Sequence, residues 1–425
     1  MSKEENRKNF SKYVSQNILG MIGFSCYVLA DSYFISIAKG ADGLTALNLV
    51  MPLYSEMIGV GSAIRYAISK IKKDADADDY FWNALIWCIL SSMLFVFAGI
   101  FFSADIMRVL GADEHIVAVG NNYTKIFMCF APMFMCNYVT NAFVRNDGAP
   151  GIAMSATLFS SLFNIVFDYI LMFPMNLGME GAALATALSP IIGMGICSIH
   201  FFSKKSSVRL VVCKPSVRKL VAGCQLGVSA FVGEMSSAVI TLAFNFVILK
   251  LAGNVGVAAY GVVANIAIVT TAVFNGVAQG SQPLISSCFG RGDKDGCTQL
   301  KRMGYTTAFV LAAVMYSILF IFAGQFVAVF NSEGSEMLRL YATEGVKLYF
   351  IGIFFAGINI VGGGAFSATE DAFKAAVVSV ARGFVLILGA VFVMSAFFGM
   401  TGVWLAYAVA EGITTFIMLV MAMRV

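Results

Sequence analysis

Charge is scarce in this 425-residue chain: Asp, Glu, Lys and Arg make up only 12% of it, against 59% hydrophobic residues. A soluble domain carries about twice that charged fraction, so a water-soluble fold is excluded. Proline is rare, with seven in the chain, and histidine is nearly absent. The two histidines, His115 and His200, fall near opposite membrane faces, and no H-E-x-x-H occurs. The nine cysteines stand singly, mostly in apolar runs, and never as C-x-x-C; they read as small hydrophobes, neither a disulfide framework nor a metal site. There is no G-x-x-x-x-G-K-[ST], so the chain does not hydrolyse ATP, and no nucleophile–base pair, so it is not read as an enzyme. The N-terminus, MSKEENRKNFSKY, is polar and lacks a small-residue cleavage site, so no signal peptide is expected. The alternation of an outer-membrane barrel is missing. The formal charge of +4 comes from basic loops and does not imply a nucleic-acid partner.

What remains is length of apolar run. Stretches such as Phe81 to Phe102 or Val385 to Met400 approach or exceed the roughly 20 residues that cross a bilayer as helix. The expected fold is an all-α, multi-pass membrane protein of twelve transmembrane helices, at about 13–37, 44–69, 80–103, 116–143, 150–173, 180–202, 219–250, 255–287, 299–330, 337–367, 373–396 and 400–423. Basic residues cluster on one face, from Lys3, Arg7 and Lys8 through Arg65, Lys70 and Lys72 to Arg302 and Arg424; the other face keeps few, such as Lys39 and Arg108. The positive-inside rule then puts both termini in the cytoplasm and the chain in the cell (inner) membrane.

The chain also repeats itself. GMEGAALATA from Gly178 answers GMTGVWLAYA from Gly399, GADGLTAL from Gly40 answers GNVGVAAY from Gly253, and Phe143 with Asp147 answers Phe366 with Glu370. The near-constant offset gives two six-helix bundles, residues 1–203 and 219–425, joined by a polar link at 204–218. Parallel repeats of this kind pack pseudo-symmetrically about the membrane normal, around a central cleft.

Charges stranded in the apolar spans are the candidate site. A carboxylate in hydrocarbon costs roughly 2.5–3.5 kcal/mol on insertion scales, so it faces a bundle interior and marks an ion or substrate path. Asp31 lies on span one; Asn164 and Asp168, four apart, share one face of span five; Thr186 lies on span six. Converging, they form an oxygen-rich pocket for a proton or, with Asp31, Asn164 and Asp168 as ligands, a sodium ion. Two carboxylates a few ångströms apart do not both ionise cheaply there. Glu234 interrupts span seven and reads either as a cation- or drug-binding acid or as a helix-end residue. Glu56 and Glu411 read as close-packing positions, Glu344 and Lys347 as a mutually neutralising pair, and Arg382 as snorkelling or paired.

VLADSYF around Asp31, FVRNDGAP from Phe143, the Asn164–Asp168 pair, GMEGAALAT from Gly178 and QGSQPLISSCFGRGD from Gln279 together resemble the multidrug and toxic-compound extrusion (MATE) family, bacterial branch. The resemblance implies two six-helix lobes around a V-shaped cleft and export of lipophilic organic cations in exchange for protons or sodium, with no cofactor beyond that coupling ion. By position it implies Asp31, Asn164, Asp168 and Thr186 as the cation-coupling set, and Glu234 with Asp31 and Asp168 for substrate. Family members often carry a proline early in helix one; here the first proline is Pro52. The partners expected are cationic small molecules and the lipid bilayer, with the chain acting as a monomer. A lipid-linked oligosaccharide flippase of the same superfamily is the alternative; an anionic pyrophosphate would want basic residues in the cleft.

Overall fold

The computed structural model describes residues 3–39, 42–109, 114–209, 211–331 and 334–423, with the backbone alone over 32–55. Gly40, where one repeat match begins, and Arg424 lie outside the described residues, as does the side chain of His115. The described residues are almost wholly helical and form no strand. In chain order the helices are α1 (Lys3–Lys39), α2 (Asp42–Lys72), α3 (Asp79–Val109), α4 (Glu114–Cys129 continued by Ala131–Asn146), α5 (Pro150–Met172) and α6 (Gly178–Phe201). After the link come α7 (217–252), α8 (254–290), α9 (Lys294–Ile321), α10 (Glu336–Ala368), α11 (372–398) and α12 (400–423), with a short helix Ala323–Phe330 after α9. Several run beyond the expected spans, because their polar ends continue as helix; α1 starts at Lys3 and runs unbroken past Asp31.

The chain's breaks have local causes. Pro132 sits in the first turn of Ala131–Asn146 and has no N–H to bond back, and α4 bends there by 48°. Pro150 opens α5, where a missing N–H costs nothing. The hairpins α7–α8 and α11–α12 turn at Gly253 (φ 62°) and Gly399 (φ 58°), a left-handed backbone open to glycine. Phe244 and Tyr260, on either side of Gly253, stack at 5.0 Å, so the chain reverses there.

Large side chains such as Leu94, Phe101, Phe320, Phe392 and Phe416 are exposed around the bundle and form the lipid-facing surface. Between helices in lipid, association depends on close packing of small residues. Glycine does this where the halves meet. On α2, Gly61 lies against the Gly223 backbone of α7, and Gly227 of α7 against the Met57 backbone. On α8, Gly276 and Gly280 lie against the backbone of Ile18 and Val14 of α1. The contact is reciprocal: the first helix of one half meets the second helix of the other, twice. That is what a pseudo-two-fold axis between parallel repeats requires.

The seam lies toward the face carrying the basic residues and is sealed there by polar contacts. Glu370 pairs with Arg65 and with Lys72 (3.7 Å) across the halves. The buried Arg145 donates to Gln279 (2.6 Å), and Asn6 donates to Gln299 (3.3 Å). FVRNDGAP and the Gln279–Asp293 stretch are thus parts of one closure. Within it, Asp147 accepts from Tyr66 (3.1 Å), Ser206 (3.2 Å), the Ser207 hydroxyl and amide and the Val208 amide (3.4 Å), and also contacts His200 Nε2 at 2.8 Å.

Candidate functional site

The N-terminal half positions its acids through the α1–α5 crossing. Gly20 lies beside Met154 and Thr157, and Gly23 beside Leu158, so the two helices run parallel in register. Continued along both, that register brings Asp31 level with Asp168. The two carboxylates are within electrostatic reach of each other. Tyr27, one turn before Asp31, is in reach of both and of Tyr123 and Tyr138.

Asp168, Asn164 and Thr186 are fully buried, at 0%, 1% and 2% exposure. With its amide nitrogen toward Asp168, Asn164 donates to Asp168 Oδ2 (2.8 Å), and its oxygen accepts from the Thr186 hydroxyl (3.1 Å) and backbone amide (3.2 Å). This tie between α5 and α6 leaves one oxygen over. Asp168 Oδ1 and Asp31 Oδ1 are both buried, and neither has a hydrogen-bond partner among the described residues. A buried acceptor left unmatched costs about 1–3 kcal/mol, more for a charged group. Two such oxygens in one pocket can be satisfied by a proton or by a small oxygen-loving cation. Asn164, Asp168 and Thr186 are thus tied together, and Asp31 lies within electrostatic reach of Asp168.

Glu234 stands elsewhere, on α7 above the glycine seam, within electrostatic reach of Glu56 across the halves and of Arg382 on α11. Close packing near Glu56 is as expected, since a Cβ on Gly59 would stand 3.2 Å from Val139 Cα; the acid itself is nonetheless within electrostatic reach of Glu234 on the other half. Arg382 is paired. Its Nη2 and Nε lie 2.7 and 3.1 Å from Glu411 Oε1, and Asn359 donates to Glu411 Oε2 at 2.7 Å. Glu411 is thus a buried acceptor at the centre of a network, beyond the packing position expected for it. Glu344 and Lys347 do not neutralise each other. Glu344 accepts from Thr401 (2.7 Å), while Lys347 lies over the Phe320 ring at 5.2 Å, because partners on neighbouring helices are nearer than the next turn. Sequence spacing does not reveal that Arg382 and Glu411, on separate helices, meet. The signal available was each charge alone in an apolar run.

Comparison with known proteins agrees with this architecture. The family model MatE matches residues 17–170 and 230–393, one stretch in each half. The multidrug export protein MepA of Staphylococcus aureus (strain bovine RF122 / ET3-1) is 26% identical over 414 residues, covering 93% of this chain and 89% of MepA. MepA of Staphylococcus saprophyticus is 25% identical over 405 residues, with the same coverage. A crystal structure of MATE in complex with MaL6 superposes with a TM-score of 0.91 at 20% identity, over 99% of this chain and 96% of that one, a likeness of fold. The duplicated match, set on twelve helices in two halves, makes this chain a member of the MatE family, the multidrug and toxic-compound extrusion transporters, and a membrane transporter rather than an enzyme.

Proposed function

We propose that this protein is a secondary multidrug efflux antiporter that exports lipophilic organic cations in exchange for H+ or Na+ by alternating access. The observation that carries the reading is the pair of buried, unmatched carboxylate oxygens of Asp31 and Asp168 beside Asn164 and Thr186. Such a pocket has two low-energy conditions, cation-loaded and cation-free. A protonated or sodium-bound pocket neutralises the acids; an empty one leaves negative charge facing the cleft that a lipophilic cation can complement. The two ligands then compete by favouring different arrangements of the halves. For sodium, rotation of the Asn164 amide would turn its oxygen toward Asp31 and Asp168, giving a hard-oxygen donor set. Glu234 supplies a further acid on the cleft side of the seam, suited to a substrate cation.

The basic residues support a cytoplasmic location of both termini and of the sealed face, in a cell-membrane setting. The internal repeat supports bundles at 1–203 and 219–425 with a linker at 204–218. The twofold cleft built within one chain supports function as a monomer. The flippase alternative is weaker, because the two basic side chains buried near the cleft are engaged, Arg145 by Gln279 and Arg382 by Glu411.

Ethidium movement in proteoliposomes, driven separately by a proton and a sodium gradient, tests the reading with Asp168→Asn alongside. Movement under either gradient, abolished in the variant, identifies the coupling ion. No gradient-driven movement by well-folded protein would sink the antiport reading.

A further inference from the structure

The two halves treat the matching helix pair differently. The repeat that aligns Gly178 with Gly399 aligns Thr186 with Tyr407, and it aligns α5 and α6 with α11 and α12. In the N-terminal half, the Thr186 hydroxyl belongs to a cluster whose carboxylate, Asp168, has an oxygen with no partner among the described residues. In the C-terminal half, Tyr407 meets a guanidinium instead, that of Arg382. The carboxylate there is Glu411, and its oxygens are fully matched, to Arg382 and Asn359, while Thr415 donates to Asn359 Oδ1 at 3.0 Å.

The backbone is adapted to this. Residues Ala381–Val385 form a π-helical turn in an otherwise α-helical span, an irregularity that re-aims a side chain and recurs at functional sites. Arg382 is its second residue. Gly383 then lies against Ser236 of α7, with Ser236 Oγ only 2.9 Å from where a Cβ would stand. This contact brings Arg382 near Glu234, two residues before Ser236. The Arg382 side chain keeps 15% of its surface exposed and Glu411 3%, so the guanidinium closes the mouth of an acidic pocket.

We propose that Arg382 is a resident cation: it neutralises the buried acid of the α11–α12 pair, the helix pair that the repeat matches to α5–α6, and so limits exchangeable cation binding to the N-terminal half. The inference rests on the reading that the Asp31–Asp168 pocket binds an exchangeable cation. Arg382 is in this sense a specificity-determining residue. It spends the Glu411 charge internally and partly offsets Glu234, leaving the cleft with one exchangeable-ion pocket in place of two. A guanidinium tied by two nitrogens to one carboxylate is held in fixed geometry, which a mobile ion would not be.

The test uses the ion that corresponds to the deleted group. Binding of radiolabelled guanidinium to the purified full chain is measured by equilibrium dialysis for the wild type, Arg382→Ala, Arg382→Ala with Glu411→Gln, and Arg382→Lys. Arg382→Ala is expected to bind one more guanidinium per chain than the wild type and to gain thermal stability from it. Both effects should vanish when Glu411→Gln is added. An Arg382→Ala protein that is folded but binds no additional ion, or a gain that survives Glu411→Gln, overturns the proposal. Arg382→Lys keeps the charge and is the second variant: it should bind no additional guanidinium, and an extra ion there overturns the proposal even if Arg382→Ala does not fold. Asp168→Asn separates the two readings. If it keeps gradient-driven ethidium movement, the N-terminal cation pocket fails, while the difference in guanidinium binding between Arg382→Ala and wild type is still read.

Discussion

The glycine seam makes a sharp prediction for Gly276→Ala. A Cβ there would stand 2.6 Å from Ile18 Cα and 2.8 Å from Ile18 N, both backbone atoms of α1. Ordinary contact begins near 3.4 Å, so α1 and α8 must part by about 1 Å, and rigid backbone cannot rotate aside as a side chain would. Overpacking of this kind costs about 1–3 kcal/mol. The cost falls only on the arrangement in which α1 and α8 touch, so it becomes a bias between conformations of about 5–150-fold. Spin labels at Lys73→Cys and Asp295→Cys, one in each half on the basic face, in an otherwise cysteine-free chain, read the separation by double electron–electron resonance. Gly276→Ala should transfer population from the short to the long distance. Gly233→Ala on α7 is the control: its Cβ meets nothing within 4 Å, and helix propensity alone makes it neutral or stabilising by up to about 1 kcal/mol. The reasoning fails if Gly276→Ala leaves the distances at wild-type values, or if the control moves them as much.

The remaining predictions concern the polar contacts. A double-mutant cycle of Arg65→Ala and Glu370→Gln, read with the same labels, should give a coupling of about 0.5–1 kcal/mol that shrinks with salt, because both side chains keep about a quarter of their exposure (27% and 22%). Asp147→Asn should lower thermal stability by about 3–5 kcal/mol, since it breaks a buried carboxylate–histidine contact and leaves several donors short of an acceptor; a melt within error of wild type would count against the hub. Asn164→Ala should cost about 1–3 kcal/mol and should weaken the apparent affinity of whichever ion drives transport, as Asp168 loses its one described donor. Asp76, outside the membrane, is held below the ordinary carboxylate range by its hydrogen bond and charge contact with Lys219. Its folded value is the lower one, so its contribution is present above the unfolded carboxylate value and is lost as pH falls through the folded one. At 61% exposure the effect is small, and Asp76→Asn should differ from wild type in melting temperature at neutral pH but not in strong acid.

Helix number and the repeat were legible because both depend on composition and on glycine. Apolar length marks a span without reference to any neighbour, and Gly253 and Gly399 mark the two hairpins that hydropathy alone would run together. Asp31, Asn164, Asp168 and Thr186 were legible for a related reason: a polar group in an apolar run has to find an interior, and a spacing of four puts two of them on one face. Pairings between helices were not legible in the same way. Nothing along the chain says that Arg382 reaches Glu411, that Glu344 prefers Thr401 to Lys347, or that Glu56 faces Glu234 across the seam. Those outcomes depend on which helices touch and at what height, a matter settled by where backbones can approach. Glycines 61, 223, 227, 276 and 280 were visible, but the partners that fit them were not.

The internal repeat also lets one half serve as a reference for the other. The N-terminal half buries Asp168 of α5 within reach of Asp31 of α1, and the C-terminal half buries Glu411 of α12, each at a cost of desolvation. In the C-terminal half, Glu411 is matched by Arg382 and Asn359, the arrangement expected where a buried acid has only to be tolerated. In the N-terminal half, Asp31 and Asp168 each keep a buried oxygen without a partner among the described residues. The chain can satisfy such a group, since it does so for Glu411 with an arginine on a π-helical turn and an asparagine. That the N-terminal pocket lacks this solution therefore needs a reason other than packing, and a ligand that comes and goes is the reason best suited to two acids, an amide and a hydroxyl. A basic residue placed in the N-terminal pocket to imitate the Arg382–Glu411 arrangement should remove the difference and abolish the ion-driven transport proposed above.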